Sequence, residues 1–164
     1  MNKSQAHPIV YPGSFDPFTL GHLDILRRAL MLFGRVTVLV AGDGKAGLLG
    51  AEKRVALIEQ ATARLRGVDV RPFHGLLVDA VADMGAVAVI RGIRCAGDYE
   101  HEWSMAGVNA LLGRKVEFVY LLANPELAAV SSTLVRDVIK YGGPLDKLVP
   151  AEIAVALKKD FSDG

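Results

Sequence analysis

The sequence predicts an α/β fold built on a doubly wound, five-stranded parallel sheet. Five short apolar runs rich in β-branched residues recur along the chain, and most are continuous rather than alternating. Continuous runs are typical of strands that are buried on both faces of a parallel sheet. A helix-like segment separates each run from the next, and this alternation favours right-handed β-α-β crossovers. The length of 164 residues suits one domain, so we expect residues 1–164 to share one core.

The predicted elements alternate along the whole chain. The strands are expected at 9–11, 36–41, 68–73, 86–90 and 116–122. The helices are expected at 22–34, 51–67, 76–85, 98–113, 131–143 and 150–160. Apolar residues recur at helical spacing in the first two helices, and a glycine at or past a helix end supplies a stop signal. Residues 1–6 precede the first strand and are expected to form a flexible extension.

Composition argues against several classes of protein. Hydrophobic residues make up 51% of the chain, charged residues 23%, and the net charge is +1, so neither nucleic acid nor an anionic membrane is expected as the main partner. The longest apolar stretches are only strand-sized, and no secretory signal is predicted at the N-terminus. The single cysteine, Cys95, rules out an internal disulfide and fits a cytoplasmic location.

One literal motif match is interpreted as a loop. GDGKAG, from Gly42 to Gly47, matches the G-x-G-x-x-G dinucleotide fingerprint. The fingerprint normally follows the first strand and opens a helix at once, whereas this match follows the second strand and precedes a short gap. Lys45 at its centre is either a solvated surface lysine or a ligand for phosphate.

A first segment predicts anion-binding groups at the carboxyl edge of the sheet. It reads YPGSFDPFTLGH and begins at the end of the first strand. Pro12 and Gly13 are expected to turn the chain, so that Ser14 and Phe15 lie at the edge and His22 lies in the first turn of the first helix. The N–H groups and the dipole of that turn favour an anion. The alternative is a helix-capping turn with a partly buried histidine.

Two further segments predict similar groups at the same edge. Arg91 and Arg94 are expected directly after the fourth strand, and arginine binds phosphate with a two-pronged fork. Ser131, Ser132 and Thr133 place hydroxyl groups at another helix N-terminus. Surface arginines and a simple N-cap are the alternatives. The sequence has no Cys/His cluster typical of zinc, no nucleophile elbow and no P-loop, so it predicts a site that binds several phosphates.

These three segments are similar to the signatures of the phosphopantetheine adenylyltransferases. YPGSFDPFTLGH resembles their first signature, whose T-x-G-H core is Thr19 to His22 here, IRGIRCAGDYEHE resembles the second, and VSSTLVR resembles the third. The resemblance covers the chain from about Ile9 to the final helix, and the spacing between the three segments agrees with that of the family. The first signature alone specifies the wider nucleotidyltransferase superfamily, whereas the second is more specific. The resemblance implies a Rossmann-like nucleotidyltransferase fold and transfer of the adenylyl group of ATP to 4′-phosphopantetheine, a step of coenzyme A synthesis.

The resemblance also implies roles for individual residues and partners. His22 is implied as the transition-state stabiliser, and the other catalytic and phosphopantetheine-binding positions are Ser14, Lys45, Leu77 and Arg91, of which Leu77 only lines the acceptor pocket. The implied ATP-binding residues are Ser14, Phe15, His22, Gly92, Ile93, Arg94, Glu102, Leu127, Ala128, Ala129, Val130, Ser131, Ser132 and Thr133. Mg²⁺ is the implied cofactor, although no protein ligand is assigned to it. A homohexamer and feedback by coenzyme A are also implied.

Two departures and two rival functions accompany this interpretation. Relatives often carry aromatic residues where this chain has Leu127 and Ala129, and the loop that holds Lys45 is one residue short. A related nucleotidyltransferase that uses nicotinate mononucleotide or glycerol phosphate is expected to differ at Leu77, Arg91 and Glu102. A flavodoxin-like or nucleotide-sensing binding module is the rival without catalysis. Because a phosphate acceptor is already anionic, direct displacement without a covalent enzyme intermediate is expected.

Overall fold

Five parallel strands form the centre of the fold in the computed structural model, which describes residues 8–42, 47–111 and 116–161. The strands are β1 (Ile9–Gly13), β2 (Val36–Ala41), β3 (Val68–Phe73), β4 (Ala88–Ile93) and β5 (Glu117–Leu122). They lie in the order β3-β2-β1-β4-β5, and every neighbouring pair is parallel. The predicted five-stranded parallel sheet is therefore confirmed. Its strand order reverses direction between β1 and β4, which makes that junction the topological switch point.

Within the described residues four helices connect successive strands and two more follow the last strand. They are α1 (Leu20–Phe33), α2 (Ala51–Thr62), α3 (Leu77–Asp83), α4 (Ala96–Leu111), α5 (Ser132–Lys140) and α6 (Ala151–Phe161), and a 3₁₀ turn spans Pro125–Leu127. No helix in the described part of the chain is both long and apolar enough to cross a membrane.

The end of α2 differs from its prediction. The helix ends at Thr62 and not at 67, although the apolar pattern continues to Leu65, which packs against the core. A tight turn takes over there, since the N–H of Leu65 bonds to the carbonyl of Thr62 at 2.8 Å. Gly67 then adopts a φ of +86°, a conformation that favours glycine. Apolar periodicity alone does not register such a change from helix to turn.

Two strands extend further than predicted, and both extensions concern the site. Pro12 and Gly13 do not turn the chain but continue β1 along β2, opposite Leu39 and Val40. Likewise β4 continues along β5 through Ile93, so Arg91 lies within this strand rather than after it. Pairing with the neighbouring strand therefore overrides the local turn signal of Pro12-Gly13 and extends β4 beyond the apolar run that predicted it.

The sheet splits at the switch point. Pairing between β1 and β4 stops at Val10 and Val89, whereas each strand continues along its outer neighbour. Proline has no N–H to donate to a ladder, so Pro12 suits a stretch that is unpaired on one side. A cleft therefore opens between the carboxyl ends of β1 and β4, which is where ligands bind in open α/β sheets.

The core lies on both faces of the sheet. Tyr11 belongs to a large cluster that also includes residues of α1, α2, α5 and α6. Val10 points to the opposite face and belongs to a smaller cluster with Leu39, Val81 and Val89. This alternation along β1 is the two-residue period of a strand, and the burial of both faces agrees with the continuous apolar runs.

Candidate active site

A cavity of about 360 Å³ lies at the split between β1 and β4. It is bounded by the N-terminal turns of α1 and α5, and its volume is in the usual range for small-molecule sites. Most of the residues predicted for the site line it: Ser14, Phe15, His22, Arg91, Gly92, Arg94, Glu102, Leu127, Val130, Ser131, Ser132 and Thr133. The three segments singled out from the sequence thus meet in one place.

The other predicted residues are not among those that line the cavity. Leu77 begins α3 and packs against the smaller hydrophobic cluster. Ile93 is buried, and Ala128 and Ala129 follow the 3₁₀ turn outside the lining. Lys45, with the middle of the G-x-G-x-x-G match, lies outside the described residues.

The cavity also contains residues to which the sequence analysis gave no role. They are Tyr11, Ile25, Asp98, His101 and Ala123, and Thr19 and Gly21 of the T-x-G-H core lie beside them. A signal for two of them is present in the sequence, because Asp98 and His101 follow Arg94 at spacings of four and seven residues. Such spacings place side chains on one helical face. Burial raises the pKa of Tyr11, so its phenol is protonated at neutral pH.

The turn after β1 is held in a strained conformation by aromatic packing. Phe15 has a φ of +50°, which is uncommon for a bulky residue, and it is only 2% exposed. Its ring meets those of Tyr11, Phe18 and His22 at centroid distances of 5.2, 5.5 and 5.1 Å. A Cβ atom on Gly13 would lie 2.8 Å from this ring, so only glycine fits there. The packing fixes the backbone at the mouth of the cavity.

The same turn is braced from α5. Ser132 donates its hydroxyl to the carbonyl of Pro17 at 2.9 Å, and Arg136 donates to the carbonyl of Asp16 at 2.6 Å. These bonds join segments more than 100 residues apart, so they tie the first segment to the third. These bonds fix the first and third segments relative to each other, and fixed cavity walls lower the cost of binding.

His22 completes a capping box at the start of α1. The hydroxyl of Thr19 accepts the N–H of His22 at 3.2 Å, and the backbone N–H of Thr19 donates to Nδ1 of His22 at 3.0 Å. The capping interpretation is thus confirmed, and the same ring also lines the cavity. A backbone N–H can only donate, so Nδ1 is unprotonated and the neutral ring carries its proton on Nε2.

His22 is uncharged at neutral pH. Burial, together with the positive charges of Arg94 and Arg91, lowers the pKa of His22 from 6.5 to about 4. Since Nδ1 is occupied by the cap, Nε2–H is the donor that His22 can offer to a ligand. The neutral ring therefore offers the cavity a hydrogen-bond donor, Nε2–H.

Arg91 crosses the split in the sheet. It donates from Nη1 to the carbonyl of Pro12 at 3.0 Å, and its Nη2 forms an ion pair with Oε1 of Glu102. Glu102 is only 7% exposed, so its carboxylate depends on this partner. Nη1 and Nη2, which the sequence analysis assigned to phosphate, therefore each bond to a group of the protein itself.

Arg94 is paired in a similar way. Its Nε and Nη2 each lie 3.0 Å from a carboxylate oxygen of Asp98, and its backbone N–H donates to the same group at 2.9 Å. These hydrogen bonds lower the pKa of Asp98. Because each arginine at the end of β4 has a carboxylate partner, this wall offers two oriented ion pairs rather than a region of uncompensated positive charge.

The hydroxyls at the start of α5 have separate roles. Ser131 is the N-cap and accepts the N–H of Leu134 at 3.2 Å, whereas Ser132 donates to the carbonyl of Pro17 in the turn after β1. Thr133 accepts a hydrogen bond from Arg136 at 3.1 Å. With the cap made by Ser131, the first N–H groups of α5 point out of the helix end, where the helix dipole favours an anion.

Known proteins resemble this chain in sequence over almost its full length. A cytidylyltransferase-like family model matches residues 10–138. The phosphopantetheine adenylyltransferase of Rhizorhabdus wittichii is 41% identical over 145 residues, which cover 88% of this chain and 88% of the relative. That of Moorella thermoacetica is 43% identical over 153 residues, which cover 93% of this chain and 96% of the relative.

Two solved structures resemble the fold. A bifunctional NMN adenylyltransferase/ADP ribose pyrophosphatase from Francisella tularensis superposes with a TM-score of 0.74 at 15% identity, over 95% of this chain and 50% of its own. A lipopolysaccharide core biosynthesis protein from Thermoplasma volcanium gives a TM-score of 0.54 at 24% identity, over 72% of this chain and 98% of its own. At such identities the likeness concerns the fold alone.

The family follows from the sequence relatives and agrees with the site. Relatives above 40% identity span most of the chain, and the three segments that resemble family signatures meet in one cavity at the switch point of the sheet. This chain therefore belongs to the phosphopantetheine adenylyltransferase family of cytidylyltransferase-like proteins.

Proposed function

We propose that this cavity binds ATP and 4′-phosphopantetheine together and transfers the adenylyl group by direct in-line displacement. An oxygen of the acceptor phosphate forms a bond to the α-phosphorus of ATP, the bond from that phosphorus to the β-phosphate bridge breaks, and pyrophosphate leaves. The product is dephospho-coenzyme A. The observation that supports this most is the meeting of His22, Arg91, Arg94 and the N-terminus of α5 around one cavity.

The two substrates occupy different walls in this proposal. The acceptor phosphate lies by Ser14 and Arg91, and Lys45 and Leu77 are assigned to the same substrate by the family resemblance. ATP lies along the segment from Gly92 to Arg94 and along the start of α5, whose N–H groups suit its phosphates. Arg91 borders both walls, because it reaches from β4 to the carbonyl of Pro12.

The chemistry needs positioning more than acid–base catalysis. A phosphate nucleophile is anionic at pH 7, so no strong base is required, and the difficulty is to hold two anions in line. His22 is neutral, and its Nε2–H can donate to a non-bridging oxygen of the α-phosphate as charge shifts in the transition state. Ser14 has no histidine or carboxylate hydrogen-bonded to it among the described residues, so it has no base to make it a nucleophile.

Magnesium enters the proposal with the nucleotide. Among the described residues, no group of three or more His, Cys, Asp or Glu side chains is placed to hold a metal ion. The residues therefore do not form a dedicated metal cage. Mg²⁺ commonly binds through substrate phosphates, so we assign it to the phosphates of ATP.

We also propose that the chain assembles as a homohexamer and that coenzyme A regulates it. Exposed apolar side chains suited to burial between copies lie on α4 and at the end of β5: Trp103, Met105, Leu111 and Leu122. Coenzyme A contains the pantetheine and adenylate parts of the product, so it can compete for the same cavity as a feedback ligand. Cys95 is exposed and unpaired, which suits a reducing cytoplasm.

Pyrophosphate release tests the proposed substrates. With ATP and Mg²⁺ present, we expect release when 4′-phosphopantetheine is added, at a rate at least about 100-fold above that with nicotinate mononucleotide or glycerol phosphate. Hydrogen-bonding sites reject an unsuitable acceptor by factors of this size or more. Omission of the acceptor gives the background. Faster release with one of the other acceptors, or release from none, would overturn the proposed acceptor.

A further inference from the structure

Arg54 is a buried arginine next to the proposed site. It lies in the first turn of α2 and is only 7% exposed. Its Nε donates to the carbonyl of Leu49 at 3.0 Å, and its Nη1 donates to the carbonyl of Ala41 at 2.9 Å and to that of Ser14. One guanidinium therefore joins the residue after β1, the last residue of β2 and the segment that leads into α2.

Asp16 holds the same region from the other side. Its carboxylate is 6% exposed and accepts the N–H groups of Leu48 and Leu49 at 2.7 and 2.9 Å. The peptide groups on both sides of Leu49 are thus fixed, since Asp16 binds its N–H and Arg54 binds its carbonyl. Asp16 and Arg54, both buried, are thus linked through Leu49. Both also hold the turn after β1, since Asp16 is part of it and Arg54 donates to the carbonyl of Ser14.

This arrangement does more than fill space. A buried arginine is costly unless its donors are satisfied, and a leucine or methionine could pack between α2 and the sheet without that cost. What an apolar side chain cannot do is hold three carbonyls at fixed separations. A guanidinium can, because its donors lie in a rigid plane. Its charge also lies directly behind the Ser14 turn, where a bound anion gains from it.

We propose that Arg54 is a positioning residue for the acceptor side of the site. It sets the separation between the ends of β1 and β2 and thereby the position at which Ser14 meets the acceptor phosphate. This inference rests on the proposed function, in which Ser14 contacts that phosphate. None of the residues of α5 and of the end of β4 that are proposed to contact ATP is a hydrogen-bond partner of Arg54, and Ser14 is the partner that the family resemblance assigns to both substrates.

Three variants test this role. Arg54→Met removes the charge and the bridging donors, and Arg54→Lys keeps the charge but replaces the planar fork with a single ammonium. The matched control is Lys53→Met, which removes a positive charge from the neighbouring residue, where Lys53 is half exposed and pairs with Asp160. KM for each substrate and kcat are measured well below the melting temperature of each variant, on protein whose folded fraction is determined by circular dichroism.

The expected result is a difference between the two substrates. Arg54→Met should raise the KM for 4′-phosphopantetheine by about tenfold or more and change the KM for ATP by less than about threefold. Arg54→Lys should recover only part of the loss, and Lys53→Met should behave as the wild type. If Arg54→Met does not fold, the positioning role is tested on Arg54→Lys alone, by whether its KM for 4′-phosphopantetheine rises more than its KM for ATP.

Three outcomes would overturn the inference. An equal rise in both KM values, a fall in the folded fraction with unchanged KM values, or full recovery of acceptor binding by Arg54→Lys would each contradict a positioning role of the guanidinium. Failure of the proposed function is distinguishable from these outcomes. In that case the wild type itself releases no pyrophosphate from ATP and 4′-phosphopantetheine.

Discussion

His22→Ala is expected to lower kcat by about 10²–10³-fold, equivalent to about 3–4 kcal/mol, the size found for loss of one comparable donor. The reason is that the proposed contact runs from Nε2–H of His22 to an α-phosphate oxygen, whose negative charge grows in the transition state. Ground-state binding gains less from the same contact, so the affinity for ATP should change by less than about tenfold, or roughly 1.4 kcal/mol. Single-turnover rates and calorimetric titration with ATP measure the two quantities.

The capping box supplies a matched control for this variant. His22→Ala also removes the acceptor for the N–H of Thr19, which costs about 1 kcal/mol of stability when a cap is lost. His22→Gln restores a Thr-x-x-Gln capping box and removes the imidazole. We therefore expect His22→Gln to melt close to the wild type and still to lose kcat. If a folded variant keeps more than about a tenth of the wild-type kcat, His22 is a capping residue only.

Arg91→Ala is expected to weaken binding of 4′-phosphopantetheine far more than binding of ATP. Loss of one partner of a buried, charge-assisted contact costs about 2–5 kcal/mol. Arg91 is the arginine that reaches the end of β1, where the acceptor phosphate is proposed to lie, and Arg94 remains for ATP. Calorimetric titration of the variant with each ligand separately measures the difference.

The ion pair with Glu102 has to be separated from this effect. Arg91→Ala leaves the buried carboxylate of Glu102 without its partner, which destabilises the fold by itself. The double variant Arg91→Ala with Glu102→Gln removes that unpaired charge. We expect the double variant to regain stability but not acceptor affinity. Because Glu102 is itself implied in ATP binding, the double variant is compared with Glu102→Gln alone, and an equal further loss of affinity for both ligands would remove Arg91 from the acceptor site.

Much of the fold is predictable because its signals are local. The run that became β2 lies where the sequence places it, since a buried strand requires a continuous apolar stretch. The edge strand β3 also keeps its predicted bounds, although polar residues interrupt its apolar ones and none of its residues is buried. The ends of β1 and β4 were wrong because they depend on pairing: Pro12 and Arg91 belong to strands only through their neighbours Leu39 and Tyr120. A local turn signal cannot register a partner elsewhere in the chain.

The site follows the same division. The location of His22, Arg94 and the α5 hydroxyls at the cavity was predictable because each follows a strand end or opens a helix, whereas their roles stay predictions. The hydrogen-bond partners that hold the site together were less predictable. The pairing of Arg94 with Asp98 has a four-residue spacing that could have indicated it, but Arg54 and Asp16 contact residues 13 to 40 positions away. No local pattern distinguishes Arg54 from a solvated arginine on an amphipathic helix.

Isotope exchange tests the central claim most directly, namely that both substrates meet in one cavity and react without a covalent enzyme intermediate. Labelled pyrophosphate is incubated with ATP, Mg²⁺ and the protein, with and without 4′-phosphopantetheine. The account predicts label in ATP only when the acceptor is present. Labelled pyrophosphate can enter ATP only through the reverse reaction, which needs dephospho-coenzyme A, and that product forms only from 4′-phosphopantetheine. Exchange at a comparable rate without any acceptor would show an adenylyl-enzyme, and it would contradict direct displacement.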